Sequence, residues 1–152
     1  DFTLEADYQW IGWSSYDTLS VELPNGPNTP LALGRGGAPL QQTSKSAKNW
    51  GDAYMLRLGG EYRTGDLALR AGFIYDKSGQ PIKALEPILP DANRVEGTIG
   101  LGYKFLGCWS VDVAYQLILF SDRTATAADL NEFPGTYKSS ANLFGLNIGY
   151  DI

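Results

Sequence analysis

Between Tyr54 and Asp76 the chain alternates apolar and polar residues with a period of two, interrupted by a short turn at Thr64-Gly65. Because successive side chains of a β-strand point to opposite faces, this alternation predicts a hairpin of two strands. One face carries large apolar side chains, and the other mixes charges with glycines. Such a hairpin either packs its apolar face onto a second protein layer or turns that face toward lipid.

The same alternation recurs along the chain and predicts six strands. Their predicted bounds are Phe2–Val21, Tyr54–Arg63, Asp66–Asp76, Val95–Phe105, Trp109–Asp122 and Ala141–Ile152. Each strand reaches or exceeds the roughly 9–11 residues that a tilted strand needs to cross a bilayer. The alternation becomes irregular at Gly12, so we expect a bulge or kink in the first strand.

The predicted loops alternate between long and short. Pro24–Asn49, Lys77–Arg94 and Arg123–Ser140 are long, whereas Thr64-Gly65 and Leu106-Gly107-Cys108 are short. Outer-membrane barrels show this asymmetry, with short periplasmic turns and long extracellular loops. Near the short-turn end, aromatic residues collect on the apolar face as an interfacial girdle. They are Tyr62, Tyr103, Phe105, Trp109 and Tyr150.

The composition of the 152 residues narrows the possible functions. No run of about 18 consecutive apolar residues occurs, so a transmembrane helix is not predicted. The net charge of -5 disfavours nucleic acid as a partner. The chain has no histidine, which excludes a Ser/His/Asp triad within it and removes the commonest metal ligand. We therefore expect no enzymatic activity, no metal and no other cofactor.

Between Trp50 and Ile152, several short motifs follow one another in a specific order. They are Asp52-Ala53-Tyr54, Leu58-Gly59, Leu69-Arg70-Ala71-Gly72, Tyr75-Asp76, Pro90-Asp91-Ala92-Asn93-Arg94, Gly100-Leu101-Gly102-Tyr103, Val111-Asp112-Val113-Ala114-Tyr115 and Leu143-Phe144-Gly145-Leu146. In this order they resemble the carboxy-terminal part of the FadL-type outer-membrane transporters of long-chain fatty acids and aromatic hydrocarbons. The Pro-Asp-x-x-Arg segment is the most distinctive. Ile152 departs from the family pattern, which usually ends in an aromatic residue.

The resemblance implies an all-β, antiparallel transmembrane barrel of fourteen strands, plugged by an amino-terminal hatch, in the outer membrane of a Gram-negative bacterium. Residues 1–152 would be the carboxy-terminal part of this single barrel domain, without the hatch and the earlier strands. Six strands cannot close a membrane barrel, because the smallest use about eight. The remainder of the barrel is therefore an expected partner, together with membrane lipid.

The function implied by the resemblance is passive transport of hydrophobic compounds, with a long-chain fatty acid or an aromatic hydrocarbon as ligand. Arg94 ends the Pro-Asp-x-x-Arg motif at the rim of a strand, where its guanidinium could bind a ligand carboxylate or brace the loop through Asp91. Lys45 and Lys48 lie in the first long loop, where the resemblance places basic residues near the ligand entrance. Solvated loop charges are the alternative interpretation of both lysines.

Two further sets of residues lie on the polar face of the predicted strands. Ile118, Phe120 and Leu143 are apolar exceptions on this face, and they either line a binding pocket or pack against a loop. The charged set has balanced signs, and we expect ion pairs that stiffen the lumen wall rather than an ion pathway. The charged set is Arg57, Glu61, Arg70, Glu96, Lys104 and Asp112.

Two alternatives to a transporter remain open at this point. A soluble or secreted β-barrel or sandwich that binds a ligand would bury the apolar face as its core. Four residues from different strands then have to be sealed beneath other side chains: Leu56, Leu69, Leu101 and Val113. An outer-membrane lipase would take its histidine from a segment outside these residues.

Overall fold

The computed structural model describes residues 1–22, 43–129 and 131–150. It contains ten strands in this part of the chain: β1 Phe2–Ile11, β2 Thr18–Glu22, β3 Thr43–Ala47, β4 Ala53–Thr64, β5 Leu67–Lys77, β6 Arg94–Phe105, β7 Trp109–Phe120, β8 Arg123–Ala125, β9 Gly135–Tyr137 and β10 Ser140–Tyr150. Six of them form one antiparallel sheet in the order β1-β4-β5-β6-β7-β10. The pairs β2-β3 and β8-β9 are separate small hairpins.

The six predicted strands account for the main sheet, and most of their ends shift by only one or two residues. The first prediction was wrong in length, because Phe2–Val21 is not one strand. β1 ends at Ile11, a 3-10 turn spans Trp13–Ser15, and β2 pairs only with β3. The break lies at Gly12, where a Cβ would come within 3.2 Å of the Trp10 ring. The predicted irregularity at this glycine is therefore confirmed. The predicted end of the last strand, residues 151–152, lies outside the described part of the chain.

Two of the predicted long loops contain short strands. Residues 43–47, which we predicted as loop, form β3, and residues 23–42 of the same predicted loop lie outside the described part. The third predicted loop contains the β8-β9 hairpin. Both hairpins are short and largely polar, so they give no alternation of the kind that marks the six strands of the main sheet.

The strand register collects the apolar residues on one face of the sheet. Leu58 is opposite Ala6 on one side and Phe73 on the other, and Leu101 is opposite Leu69 and Val113 in the same way. A one-residue slip in any pair would turn these side chains to the opposite face, so the register is strongly specified. We call the two sides of the sheet the apolar face and the polar face.

The apolar face is not covered by other described residues. Leu56, Leu69, Leu101 and Val113 are all between 41% and 45% exposed. Among the described residues, the buried apolar side chains are one leucine and five alanines: Ala53, Ala68, Ala84, Leu85, Ala92 and Ala125. A soluble sandwich would seal the apolar face as its core, so this structure does not support that alternative. None of the described helices is long and apolar enough to cross a membrane.

Two belts of aromatic residues bound the apolar face. The predicted belt at the short-turn end includes the ring pair Trp109–Tyr150, with centroids 4.8 Å apart. A second belt lies at the opposite end, where Tyr54 contacts Tyr8 and Tyr75 at centroid distances of 6.2 and 6.0 Å. Tyr54 and Tyr62 lie on the same strand, roughly 27 Å apart at the ordinary rise per residue. On a strand tilted by about 40°, this separation is about 21 Å along the membrane normal, slightly less than the apolar band of about 25 Å on outer-membrane barrels.

Candidate functional site

Arg70 is the centre of an ion-pair network on the polar face. Its Nε donates to Glu61 Oε2 at 2.7 Å, and one terminal nitrogen donates to Asp112 Oδ1 at 2.6 Å. Arg63 also pairs with Glu61. Arg70 on β5 reaches Asp112 on β7 across the intervening strand β6, which has Gly102 between them. A Cβ at this glycine would lie 2.4 Å from Asp112 Oδ1, so a larger residue would block the contact. The glycines of this face therefore leave the space that the charged side chains occupy.

The other predicted lumen charges lie on the same face. Arg57 pairs with Asp7 of β1, and it also donates to Gln9 Oε1 at 3.0 Å. Glu96 accepts a hydrogen bond of 2.5 Å from Gln116. Lys104 lies opposite Ser110 near the short-turn end. A wall of paired charges agrees with the interpretation of this set as ion pairs that stiffen the sheet, and its position in a lumen stays a prediction.

Arg94 is the first residue of β6 and lies among three carboxylates. It pairs with Asp76, with Asp91 Oδ1 at 3.3 Å and with Glu96 Oε1 at 3.3 Å. One guanidinium thus faces an excess of negative charge, and a ligand carboxylate would be repelled by the same group of acids. The geometry favours the brace between strand and loop over the ligand contact that the motif also allowed. The predicted ligand contact of Arg94 is untested by these distances.

The two candidate lysines lie in different surroundings. Lys48 is only 7% exposed, and its Nζ lies 3.0 Å from Glu86 Oε1. This ion pair links the first long loop to the second, so Lys48 is not an ordinary solvated loop charge, and its ligand contact stays a prediction. Lys45 is exposed on β3, opposite Ser20. Lys45 thus lies in the β2-β3 hairpin, whereas Lys48 contacts the second long loop.

Ile118, Phe120 and Leu143 form an apolar patch on the polar face near the long-loop end. Phe120 is opposite Arg94 in the register, and its ring centroid lies 5.7 Å from the Arg94 guanidinium carbon. Ile118 and Leu143 lie on neighbouring strands, diagonally across the β7-β10 pair. Leu143 is 47% exposed. The patch is accessible within the described structure, so an apolar ligand could contact it.

The second and third long loops form a packed outer layer that the sequence analysis missed. Asn131 donates from Nδ2 to the carbonyls of Ile82 and Leu85 at 2.7 and 2.8 Å. Gln80 donates to the carbonyl of Leu89 at 3.0 Å, and its own side-chain oxygen accepts from the Asp91 amide at 2.9 Å. Asn131 is thus the donor to the buried carbonyl of Leu85, whereas Gln80 adds a donor to a carbonyl that also accepts from the Asp91 amide. No local sequence pattern distinguishes them from ordinary polar loop residues.

A family profile described as outer membrane protein transport protein (OMPP1/FadL/TodX) matches residues 1–152. The chain is 27% identical over 150 residues to the 47 kDa outer membrane protein of Pasteurella multocida, covering 98% of this chain and 31% of that protein. It is 33% identical over 114 residues to an outer membrane protein of Neisseria meningitidis serogroup B, covering 67% of this chain and 24% of that protein.

The fold is similar to the crystal structure of a Pseudomonas aeruginosa FadL homologue. The TM-score is 0.76 at 24% identity, over 99% of this chain and 32% of that chain. The chain thus spans between about a quarter and a third of the length of these relatives. Since the family profile covers residues 1–152 throughout, the chain belongs to the outer membrane protein transport family (OMPP1/FadL/TodX) and is located in the outer membrane of a Gram-negative bacterium.

Proposed function

We propose that this chain supplies six neighbouring strands and part of the outer loop layer of a barrel that carries hydrophobic compounds across the outer membrane. Long-chain fatty acids are the proposed ligands. One observation carries the ligand class: the apolar patch of Ile118, Phe120 and Leu143 lies near the long-loop end of a face on which charged, polar and small residues predominate. An aqueous pore for ions would have no use for accessible apolar side chains at this position.

The physical basis of transport is a lower desolvation barrier. Moving a hydrocarbon chain from an apolar environment into water costs about 0.8 kcal/mol of free energy for each methylene. A long acyl chain therefore does not cross an aqueous gap unaided. A surface of apolar side chains next to the outer loops lets the chain leave one apolar environment for another. The family is a transport family, and the proposed process includes no covalent step.

The remainder of the barrel is part of the proposal. In the described structure β1 and β10 are the edges of the sheet, so each has one side without a strand partner. Unpaired backbone groups are costly in lipid, where no water can satisfy them. We propose that strands of the rest of the protein pair with these two edges and close the barrel.

The test uses the complete membrane protein in proteoliposomes. Uptake of oleate is followed with a fatty-acid sensor inside the vesicles, for the wild type and for the double variant Phe120→Asn/Leu143→Asn. Losing two apolar contacts, each worth about 1.5–3 kcal/mol when fully buried, should lower the affinity for oleate at least tenfold. Leu106→Asn is the matched control, because Leu106 is exposed in a short turn at the other end of the sheet. Equal uptake by the wild type and the double variant would refute the role of the patch.

A further inference from the structure

A small cavity lies in the outer loop layer, beside the apolar patch. Its volume is about 250 Å³, and its lining includes Leu85, Asp91, Phe120, Arg123, Tyr137 and Lys138. Pockets for whole drug-sized ligands are usually larger, at about 300–1,000 Å³. The cavity is therefore suited to a small group, such as the head group of a ligand, rather than to a whole long-chain ligand.

Arg123 is the one partly buried cation of this lining, and its charge is not matched by a carboxylate. Its guanidinium donates to the backbone carbonyl of Asp91 at 2.8 Å. Within the described part of the chain it forms no ion pair with an acidic side chain. Burial lowers the pKa of Arg123, and the charge of Asp91 opposes this effect in part. A buried cation with unused donors is stabilised by an anion that enters the cavity.

The acidic residue of the lining is already engaged elsewhere. One oxygen of Asp91 pairs with Arg94 at 3.3 Å, and the other accepts from Ser78 Oγ at 2.8 Å. At the rim of the cavity, Lys138 adds a second positive charge, although its Nζ lies 2.5 Å from Asp122 Oδ2. Ser121 and Ser139 add hydroxyl groups to the lining. The surroundings therefore contain hydrogen-bond donors for an oxyanion, and the carboxylate of the lining is shared between Arg94 and Ser78.

We propose that this cavity is an oxyanion subsite in which Arg123 binds a carboxylate or phosphate group. The cavity shares Phe120 with the apolar patch, so a ligand whose head group occupies the cavity can lay its hydrocarbon chain on Ile118 and Leu143. In this form the inference rests on the proposed function, because it assigns the head group of the transported amphiphile to Arg123. Arg94, which the motif had indicated for this role, is instead neutralised by its own acids.

The test measures binding to the complete protein in detergent with three probes: dodecanoate, dodecanol and inorganic phosphate. Arg123→Gln should weaken the binding of dodecanoate at least tenfold, which corresponds to about 1.4 kcal/mol. It should leave the binding of dodecanol unchanged, because dodecanol carries no charge. Arg123→Lys should recover part of the loss, because it restores the charge but not the planar pair of donors. Lys83→Gln removes an exposed cation from the same loop layer and is the matched control.

Each outcome separates the sources of the anion. If Arg123→Gln weakens the binding of dodecanoate alone, the site binds the head group of an amphiphile. If it weakens the binding of phosphate and leaves the binding of dodecanoate unchanged, the site binds a free anion. If neither probe depends on Arg123, the subsite is refuted. If the wild type binds neither dodecanoate nor dodecanol, the proposed transport function fails, while the phosphate probe still tests the cavity. Lys138→Gln, at the exposed rim, tests the cavity with Arg123 left in place and should weaken anion binding about twofold through the lost charge.

Discussion

Replacing Ile99 by arginine tests which medium meets the apolar face. Ile99 is near the middle of β6, between Ala71 and Tyr115 on the neighbouring strands. It is 63% exposed within the described structure. In water such a position tolerates arginine, because surface substitutions away from special features change the stability by about 0.5 kcal/mol or less. In a membrane the same position faces hydrocarbon.

The expected cost follows from the position of the residue between the two aromatic belts. An arginine on the lipid face of a barrel destabilises it by about 2–4 kcal/mol at the bilayer midplane and by much less near the interfaces. The neighbours Ala71 and Tyr115 offer no carboxylate to pair with the new charge. We therefore expect the Ile99→Arg variant to lose about 2–4 kcal/mol of unfolding free energy.

Gln116→Arg is the matched control at nearly the same depth. Gln116 is the residue after Tyr115 and lies on the polar face, where its amide donates to Glu96 Oε2 at 2.5 Å. An arginine here can take over that contact as an ion pair. Its net effect should stay within about 1 kcal/mol, as for other partly exposed pairs.

The assay is urea unfolding of the complete barrel in phospholipid vesicles, followed by tryptophan fluorescence. We expect Ile99→Arg to have a clearly lower free energy of unfolding than Gln116→Arg. If both variants unfold within about 0.5 kcal/mol of the wild type, the apolar face meets water and its assignment to lipid is wrong. If Gln116→Arg is the more damaging variant, the two faces of the sheet have been assigned the wrong way round.

Two further predictions concern the outer loops. Asn131→Ala should leave the buried carbonyl of Leu85 without its side-chain donor and destabilise the loop layer by about 1–3 kcal/mol, which we expect to see as faster proteolysis of the second long loop while the barrel stays intact. Asp129 accepts hydrogen bonds from the hydroxyl and the backbone amide of Thr126, which lowers the pKa of its carboxyl below 3.8. A lowered pKa stabilises the turn above the unfolded pKa, and the effect is lost as the pH falls through the folded pKa. Hydrogen-exchange protection of the Thr126 amide should therefore fall in the wild type as the pH is lowered through the folded pKa of Asp129, and it should not follow this titration in Asp129→Asn.

Periodicity predicted the main sheet because lipid and a polar interior impose opposite demands on alternate residues. In β4 to β7 each strand must satisfy both environments along its whole length, so nearly every position carries information about its face. The register then follows from matching apolar rows, as in the row of Leu69, Leu101 and Val113. Even the exceptions at Ile118 and Phe120 were visible in the sequence, since they break the rule near one end of a strand.

The outer loops could not be predicted in this way, because their structure depends on contacts between distant segments. Asn131 binds carbonyls nearly fifty residues earlier in the chain, at Ile82 and Leu85. Lys48 is buried and forms an ion pair with Glu86, which lies 38 residues later in the chain. A polar residue in a loop has the same local sequence appearance whether it is solvated or buried. The second aromatic belt was missed for a different reason: Tyr8, Tyr54 and Tyr75 form it only once the register of three strands is known.

Arg94 and Arg123 differ in how far neighbouring acids already neutralise their charges. The motif drew attention to Arg94, but the acid that neutralises it from β5, Asp76, precedes it by 18 residues and is adjacent only through the strand register. The same pairing has a second effect, because Arg94 engages the carboxylate of Asp91, whose backbone carbonyl binds Arg123. That ion pair offsets part of the negative charge of Asp91, which also acts on Arg123. Arg94 thus lowers the negative charge beside the proposed oxyanion subsite, so Arg94→Gln should weaken the binding of dodecanoate to the complete protein by leaving Asp91 without this partner.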